Sequence, residues 1–106
     1  VSAGGIVGHV YNVAVIENNI NKAESISATI FAAGIAGSLQ YALNNTYSED
    51  QCNISVQHNV STTPLDSIVV NGSCKSLYAY NNRDAERGFV VENNYASEED
   101  KEAAAA

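Results

Sequence analysis

We expect the fold of this chain to be decided by Ile26-Ser27-Ala28-Thr29-Ile30-Phe31-Ala32-Ala33-Gly34-Ile35-Ala36-Gly37-Ser38-Leu39, the most apolar run of the sequence. The surrounding segment, residues 25–48, contains no charged side chain. A membrane-spanning helix needs about 20 apolar residues, and this run is too short and too rich in small polar residues to match that. We therefore predict a buried helix that packs against a sheet.

The predicted helix extends from Asn21 to Leu43. Asn21 followed by Glu24 is typical of a capped helix start, and apolar side chains recur at helical spacing after it. Small residues in the helix would let another backbone approach closely. They are therefore the candidate contacts with a membrane or a neighbouring subunit, and they are Ala33, Gly34, Gly37 and Ser38. A core helix is the structural interpretation, and a helix that leaves the core to enter a bilayer or to dock on a subunit is the functional one.

Two segments flanking this run have strand patterns. Residues 7–16 are β-branched and aromatic with two mostly apolar faces, which favours a central strand and leaves a helix as the alternative. Residues 51–60 alternate with a period of two. This alternation places His58 on the core face with the apolar residues, and it places Asn53 and Asn59 on the solvent face.

The second half of the chain continues with short strand patterns. Asn71-Gly72 is a strong hairpin signal, so residues 73–80 should return antiparallel to residues 67–70. Residues 89–91 form a brief final strand, and Ser97 is a potential cap for an acidic, alanine-rich tail. We expect one domain over residues 1–95 and a tail over residues 96–106, and no internal repeat is apparent.

Cysteines and glycosylation sequons indicate the compartment. Cys52 and Cys74 are the two cysteines, and closing the loop of 21 residues between them would stabilise the fold by roughly 3 kcal/mol. Four N-x-[ST] sequons provide candidate glycosylation sites at Asn44, Asn53, Asn59 and Asn71. The pattern favours a secreted protein in an oxidising setting, and two free thiols in an Asn-rich cytosolic protein are the alternative.

Charge and motif content argue against several functions. The formal net charge is −7 and the five cations are scattered, so no basic stripe is present to bind nucleic acid. His9 and His58 are the two histidines and fit core positions better than a metal site, which normally needs three or four ligands. No nucleophile elbow or phosphate-binding loop is present. We therefore predict a protein that is not an enzyme, without catalytic residues, metal or cofactor.

A family resemblance adds to this interpretation. Residues 2–8 (Ser-Ala-Gly-Gly-Ile-Val-Gly), the Gly/Ala-rich residues 32–37 and the later cysteine-bearing strands resemble small secreted yeast killer-toxin-type proteins, such as the salt-mediated killer toxin. The resemblance implies an α/β-sandwich fold and damage to the membrane of a target cell. One cysteine pair and the absence of a dibasic site depart from that pattern.

These observations lead to one fold expectation and three functional ones. The fold is α+β, with one long Gly/Ala-rich helix on a four- to five-stranded antiparallel sheet and a Cys52–Cys74 disulfide. The leading function is a secreted, N-glycosylated, killer-toxin-like protein that acts on the membrane or a surface receptor of a target cell, with a second chain or self-association through the apolar helix. The first alternative is a glycosylated structural subunit of an extracellular filament or cell-surface layer. The second is a carbohydrate- or receptor-binding module that uses Tyr78 and Tyr80.

Overall fold

Thirteen short strands are the main regular structure of the described residues. The computed structural model describes residues 1–11, 13–40, 53–81 and 89–106. The strands are β1 (Ser2–Gly4), β2 (Val10–Tyr11), β3 (Val13–Glu17), β4 (Ile20–Asn21), β5 (Ile26–Ser27), β6 (Phe31–Ala33), β7 (Ala36–Gln40), β8 (Asn53–Gln57), β9 (Val60–Ser61), β10 (Ile68–Val69), β11 (Lys75–Ser76), β12 (Ala79–Asn81) and β13 (Phe89–Glu92). A 3-10 turn covers Leu65–Ser67, and helix α1 covers Glu98–Ala105.

Every strand pair in the described residues is parallel, and each pair joins strands that lie far apart in sequence. The sheets have the orders β1-β6-β11, β2-β7-β12, β3-β8-β13, β4-β9 and β5-β10. The chain therefore winds through the same positions three times. Coil 1 contains β1 to β5, coil 2 contains β6 to β10, and coil 3 contains β11 to β13 followed by Tyr95, which bridges to Val60. This architecture is a parallel β-helix, in which each coil pairs only with its neighbours in the stack.

The predicted α+β fold with a long helix is wrong. Within the described part of the segment from Asn21 to Leu43, the chain forms β4 to β7, and the described helix of the molecule is α1 at the other end. The absence of charged side chains from residues 25–48 has a cause other than a buried helix. Most of it belongs to coil 2, which is covered by coil 1 on one side and by coil 3 on the other, so Ala32, Ala33, Ile35 and Ala36 are fully buried. Burial on both sides selects small and apolar residues without requiring a helix.

The predicted antiparallel sheet is also wrong. Asn71-Gly72 does not join a hairpin, because β10 before it pairs with β5 and β11 after it pairs with β6, in both cases in parallel. The hairpin signal is local, whereas these strands gain their hydrogen bonds from the coil beneath. The final strand prediction is confirmed by β13. The Ser97 cap is also confirmed, since its hydroxyl accepts a hydrogen bond from the Asp100 backbone N–H at 3.0 Å.

The predicted disulfide does not form, because the thiol of Cys74 is free. Cys74 lies just before β11, where the chain enters coil 3. Its side chain forms a hydrogen bond with Tyr80, and this bond together with burial raises the pKa of the Tyr80 hydroxyl. Cys52 lies outside the described residues. The ladders between the coils therefore hold the fold without a covalent crosslink at Cys74.

The apolar interior is divided into two clusters by a polar one. The larger cluster centres on residues of β3, β7 and β8, and the smaller one contains Ile26, Ala32 and Ile68. Asn21 lies in β4, between the strands β3 and β5 that contribute to the two clusters, and donates from Nδ2 to Ser61 Oγ (3.1 Å) and Thr63 Oγ1 (3.0 Å). Each of these side chains is buried and hydrogen-bonded, so the polar cluster fixes the stacking of coils 1 and 2 instead of weakening it.

The same tight corner occurs once in each coil, directly after the strands of the β3-β8-β13 sheet. Asn18, His58 and Asn93 occupy it with φ angles of 58°, 58° and 53°. This left-handed conformation is favourable for Asn and strained for most other side chains. The corner also corrects the strand prediction for residues 51–60, because the backbone turn leaves His58 exposed and directs Asn59 into the interior.

His58 provides the first test of this geometry. We expect His58→Ile to lower the free energy of unfolding by about 1–2 kcal/mol, because a β-branched side chain is strained at positive φ. His58→Asn, which copies coils 1 and 3, should leave stability unchanged or raise it by a few tenths of a kcal/mol. Urea denaturation of the three proteins measures the difference. Equal midpoints for the Ile and Asn variants would argue against the left-handed corner.

Candidate functional site

A ladder of three asparagines follows the corner and crosses all three coils. Asn59 in coil 2 accepts hydrogen bonds at Oδ1 from the backbone N–H and from Nδ2 of Asn19 in coil 1, both at 3.0 Å. It donates from Nδ2 to Ile16 O and to Asn94 Oδ1 in coil 3, both at 2.9 Å. Asn59 is fully buried, and these four bonds use both of its donors and both acceptor sites of its carbonyl oxygen.

The ladder is open at both ends. At the coil 1 end, Asn19 Oδ1 accepts no hydrogen bond from the described residues, and Asn19 Nδ2 donates to Glu17 O in its own coil at 3.1 Å. At the coil 3 end, Asn94 Nδ2 donates to Val56 O at 2.9 Å. This bond leaves its second hydrogen and its backbone N–H without a partner among the described residues. One end therefore offers an acceptor and the other end offers donors.

The strand edges are open at the same two ends. In the described part of the chain, β1 to β5 pair only with coil 2, and β11 to β13 also pair only with coil 2. Such edges present rows of unpaired N–H and C=O groups that can template another strand. Most natural solenoids cover their ends with polar capping repeats. The ends of this stack are the surface that most needs a partner.

Exposed apolar side chains concentrate on coil 1. Six large ones belong to its residues, and they are Val1, Ile6, Tyr11, Val13, Val15 and Ile20. Val15, on the outer face of β3, is 72% exposed, whereas its neighbour in β8 is the polar Ser55. At the other end, Val91 is 37% exposed although it occupies the inward row of the fully buried Val56. Both ends therefore present apolar surface to solvent.

Helix α1 lies beside the stack. Lys101 Nζ donates to Asn18 Oδ1 at 3.1 Å, and Lys22 forms an exposed ion pair with Glu98 at 3.3 Å, so the helix reaches from coil 3 back to coil 1. A cleft of about 180 Å³ remains between the helix and the corner, lined by Asn18, His58, Tyr95, Lys101, Ala104 and Ala105. Among the described residues, α1 takes no part in strand pairing with coil 3.

The structure distributes the predicted glycosylation sites unequally. Asn53 is exposed at the start of β8, and Asn71 is exposed between β10 and β11. Asn59 is buried and both of its amide hydrogens are bonded, so the folded chain offers no space for a glycan there. Asn44 lies outside the described residues.

The predicted contacts with a membrane or subunit are all buried in coil 2. Ala33, Gly34, Gly37 and Ser38 pack between the other two coils. A Cβ on Gly34 would collide with Leu77 O and Ser61 Oγ, and one on Gly37 would collide with Ala3 O. The two glycines therefore permit close stacking of coils. Among the described residues, no helix has the length and apolarity that crossing a membrane requires.

The remaining candidate side chains are separated from one another. Tyr80 stacks on Phe31 with a centroid distance of 5.5 Å, and half-buried Tyr78 packs against the larger core cluster, so the two tyrosines form no exposed platform. Burial and the nearby Asp100 raise the pKa of Tyr78. His9 contacts Tyr11 edge to face at 4.4 Å, and it is half-buried, whereas His58 is exposed on the corner.

The asparagine ladder was missed in the sequence, although a signal for it exists. Glu17-Asn18-Asn19-Ile20, Gln57-His58-Asn59-Val60 and Glu92-Asn93-Asn94-Tyr95 are three copies of one pattern, and strand register aligns them. Their spacings along the chain differ, being 40 and then 35 residues. A search for a fixed period therefore overlooks the repeat.

Comparison of the chain with protein-family models, with curated proteins and with solved structures gives no match.

Proposed function

We propose that this protein is a non-enzymatic structural subunit of an extracellular filament or cell-surface layer, and that it assembles through the ends of its coil stack. The carrying observation is that, among the described residues, the strands of coils 1 and 3 pair along one edge alone, whereas β6, β7 and β8 of coil 2 pair along both edges. A module of this kind adds length by adding coils, because each coil contacts only its neighbours.

The arrangement of reactive groups supports a structural role. His9 packs on Tyr11, Cys74 bonds Tyr80, and Lys101 bonds Asn18, so each of these groups already has a partner within the fold. The interior consists of hydrogen-bonded ladders and close contacts between backbones. This packing differs from the concave, mostly apolar pocket in which small-molecule substrates usually bind.

The exposure of two sequons supports an extracellular setting. Asn53 and Asn71 are exposed sequons, and a glycan on either would project from the side of the stack. Neither position lies on a strand of coil 1 or coil 3, the two coils whose edges would meet, so glycosylation is compatible with end-to-end assembly. The killer-toxin resemblance and its membrane target stay predictions, and they lose one support, because the Gly/Ala-rich segment forms strands of coil 2 and not a helix.

Light scattering over a concentration series tests the proposal. We expect the mean mass to rise above the 11.2 kDa of one chain as concentration increases, with fibrils or layers visible by electron microscopy. Fibre diffraction should show a reflection near about 4.8 Å from stacked strands. Salt of about 1 M should promote assembly, because it shortens the Debye length to about 3 Å and screens the net charge of −7.

A pair of lysine variants makes the test specific. Val15→Lys adds a charge to the exposed edge of coil 1 and should suppress assembly, since edge lysines oppose strand addition. Leu65→Lys adds the same charge at an exposed apolar position of coil 2 and should assemble as the parent does. A chain that remains monomeric at every concentration and salt level contradicts the proposed function.

A further inference from the structure

We propose that a second copy of this chain stacks its coil 1 on coil 3 of the first, head to tail, in the register that places Asn19 beside Asn94 and Val15 beside Val90. This inference rests on the proposed function and names the partner and the geometry of the interface. The occupant of each open end is thus the opposite end of another identical chain.

The shape of a coil favours this orientation. Moving a copy along the axis of the stack brings its β1, β2 and β3 onto β11, β12 and β13, so the three-stranded sheets of the two copies meet strand by strand. In a head-to-head dimer, a two-fold axis relates two identical ends, so the chain runs around the second coil in the opposite direction. Only the part of the coil that crosses the axis then faces its own counterpart. Head-to-tail contact therefore pairs more strand edges, and it also repeats indefinitely.

The asparagine ladder provides complementary hydrogen-bonding groups. Within one copy, Asn19 and Asn59 each donate from the backbone N–H and from Nδ2 to the Oδ1 of the ladder asparagine in the next coil. Among the described residues, nothing accepts from the Asn94 N–H or from its second Nδ2 hydrogen, and nothing donates to Asn19 Oδ1, so Asn19 of the next copy could accept both hydrogens of Asn94. The ladder then passes between copies without a break.

The carbonyl partners follow the same rule. Asn59 Nδ2 donates to Ile16 O, and Asn94 Nδ2 donates to Val56 O, which is the equivalent residue one coil later. Val91 is the equivalent residue of coil 3. In the stack, Asn19 Nδ2 of the next copy exchanges its bond to Glu17 O for one to Val91 O. In the single chain, Asn19 Nδ2 bonds Glu17 O of its own coil because no other coil lies beneath coil 1.

Side-chain rows continue across the same contact. The outer row passes from Val90 to Val15 of the next copy, which brings two valines together, and such cross-strand pairs stabilise sheets. The inner row passes from Val91 to Ile16 of the next copy, so the exposed side of Val91 becomes buried as Val56 is buried within one chain.

Charge opposes the contact and makes it dependent on salt. Glu92 and Glu17 lie in one outer row with Gln57 between them, so stacking brings Glu92 beside Glu17 of the next copy. Like charges directly opposite destabilise a sheet. The interface therefore forms weakly at low ionic strength and strengthens as salt screens the two carboxylates.

Disulfide trapping tests the register. In a Cys52→Ser, Cys74→Ser background, Val15→Cys and Val90→Cys are combined. Within one copy these positions are separated by two strand spacings, about 9.6 Å, which exceeds the Cα separation a disulfide spans. Across the proposed contact they are one spacing apart. Oxidation at about 1 M salt should therefore give a ladder of covalent oligomers on a non-reducing gel, and reduction should return it to monomer.

Two controls distinguish the possible failures. Ser55→Cys with Val90→Cys joins registered neighbours within one copy, so it should form an intramolecular disulfide and show that the coils are folded. Val15→Cys alone should give no covalent dimer, and strong dimers from it would overturn this inference in favour of head-to-head contact. If the parent assembles and the Ser55/Val90 control oxidises but the Val15/Val90 variant gives no ladder, the register is wrong while the structural function stands. Monomer under all conditions contradicts both.

Discussion

Replacing Asn59 by alanine is expected to lower the free energy of unfolding by about 3 kcal/mol, a large part of the stability of a small domain. Asn59 is fully buried, and its amide makes four hydrogen bonds that join three coils. Alanine would leave Ile16 O and Asn94 Oδ1 short of donors and the Asn19 donors short of an acceptor. Each unsatisfied buried group costs about 1–3 kcal/mol, and partial hydration limits the sum.

Asn53→Ala is the matched control for this prediction. Asn53 is also an asparagine of coil 2 in a sequon, but it is exposed at the start of β8. Its replacement should change stability by no more than about 0.5 kcal/mol. Urea denaturation of the unglycosylated proteins measures both variants. Similar losses for the two, or none for Asn59→Ala, would contradict the role of the ladder.

Gly34→Leu is expected to be at least as damaging and to lower the free energy of unfolding by about 3 kcal/mol or more. Gly34 lies where coil 2 approaches both neighbours, since its N–H bonds Leu77 O at 3.0 Å and its carbonyl oxygen accepts from Gly5 N at 3.1 Å. A Cβ there would meet the Leu77 carbonyl oxygen and the Ser61 side chain. Backbone atoms cannot move aside without breaking the stack.

Gly72→Leu controls for the general effect of removing a glycine. A Cβ at Gly72 meets no atom within 4 Å, so this variant should fold with stability within about 0.5 kcal/mol of the parent. Thermal unfolding followed by circular dichroism distinguishes the two variants, and soluble yield reports a Gly34 variant that does not fold. A Gly34→Leu protein with an unchanged transition would show that the coils are not in close contact at this position.

Local sequence patterns predicted individual strands correctly, but they did not predict which strands pair with each other. The alternation at residues 53–57 is correct, because Ile54 and Val56 point inward and Asn53 is exposed. It ends at His58, where a positive φ reverses the orientation of the following residues. The alternation itself does not predict this corner. The equivalent residues Asn18 and Asn93 indicate it only when the three copies of the repeat are aligned.

The helix prediction failed because a covered coil and a buried helix have similar composition. Ile26, Ile30, Ala33 and Gly37 have helical spacing in the sequence, but they lie on separate short strands and corners. Charge is excluded from both kinds of element when both sides are covered. The small residues at 33–34 and 37–38 correctly indicated close backbone approach, and the approaching backbones belong to coils 1 and 3.

The hydrogen bonds between coils also determine how this chain can fold. The nearest pairing in sequence joins Ser2 to Phe31, and the β3-β8 pairing joins Val13 to Asn53. A hairpin can nucleate a sheet from neighbouring residues, but here a loop of about 30 residues must close before the first ladder bond forms, at an entropic cost that grows with loop length. High contact order slows folding, so this chain should fold slowly for its size. On the ribosome, coil 1 has no template until much of coil 2 has emerged, and its open edges are exposed to other strands during that interval.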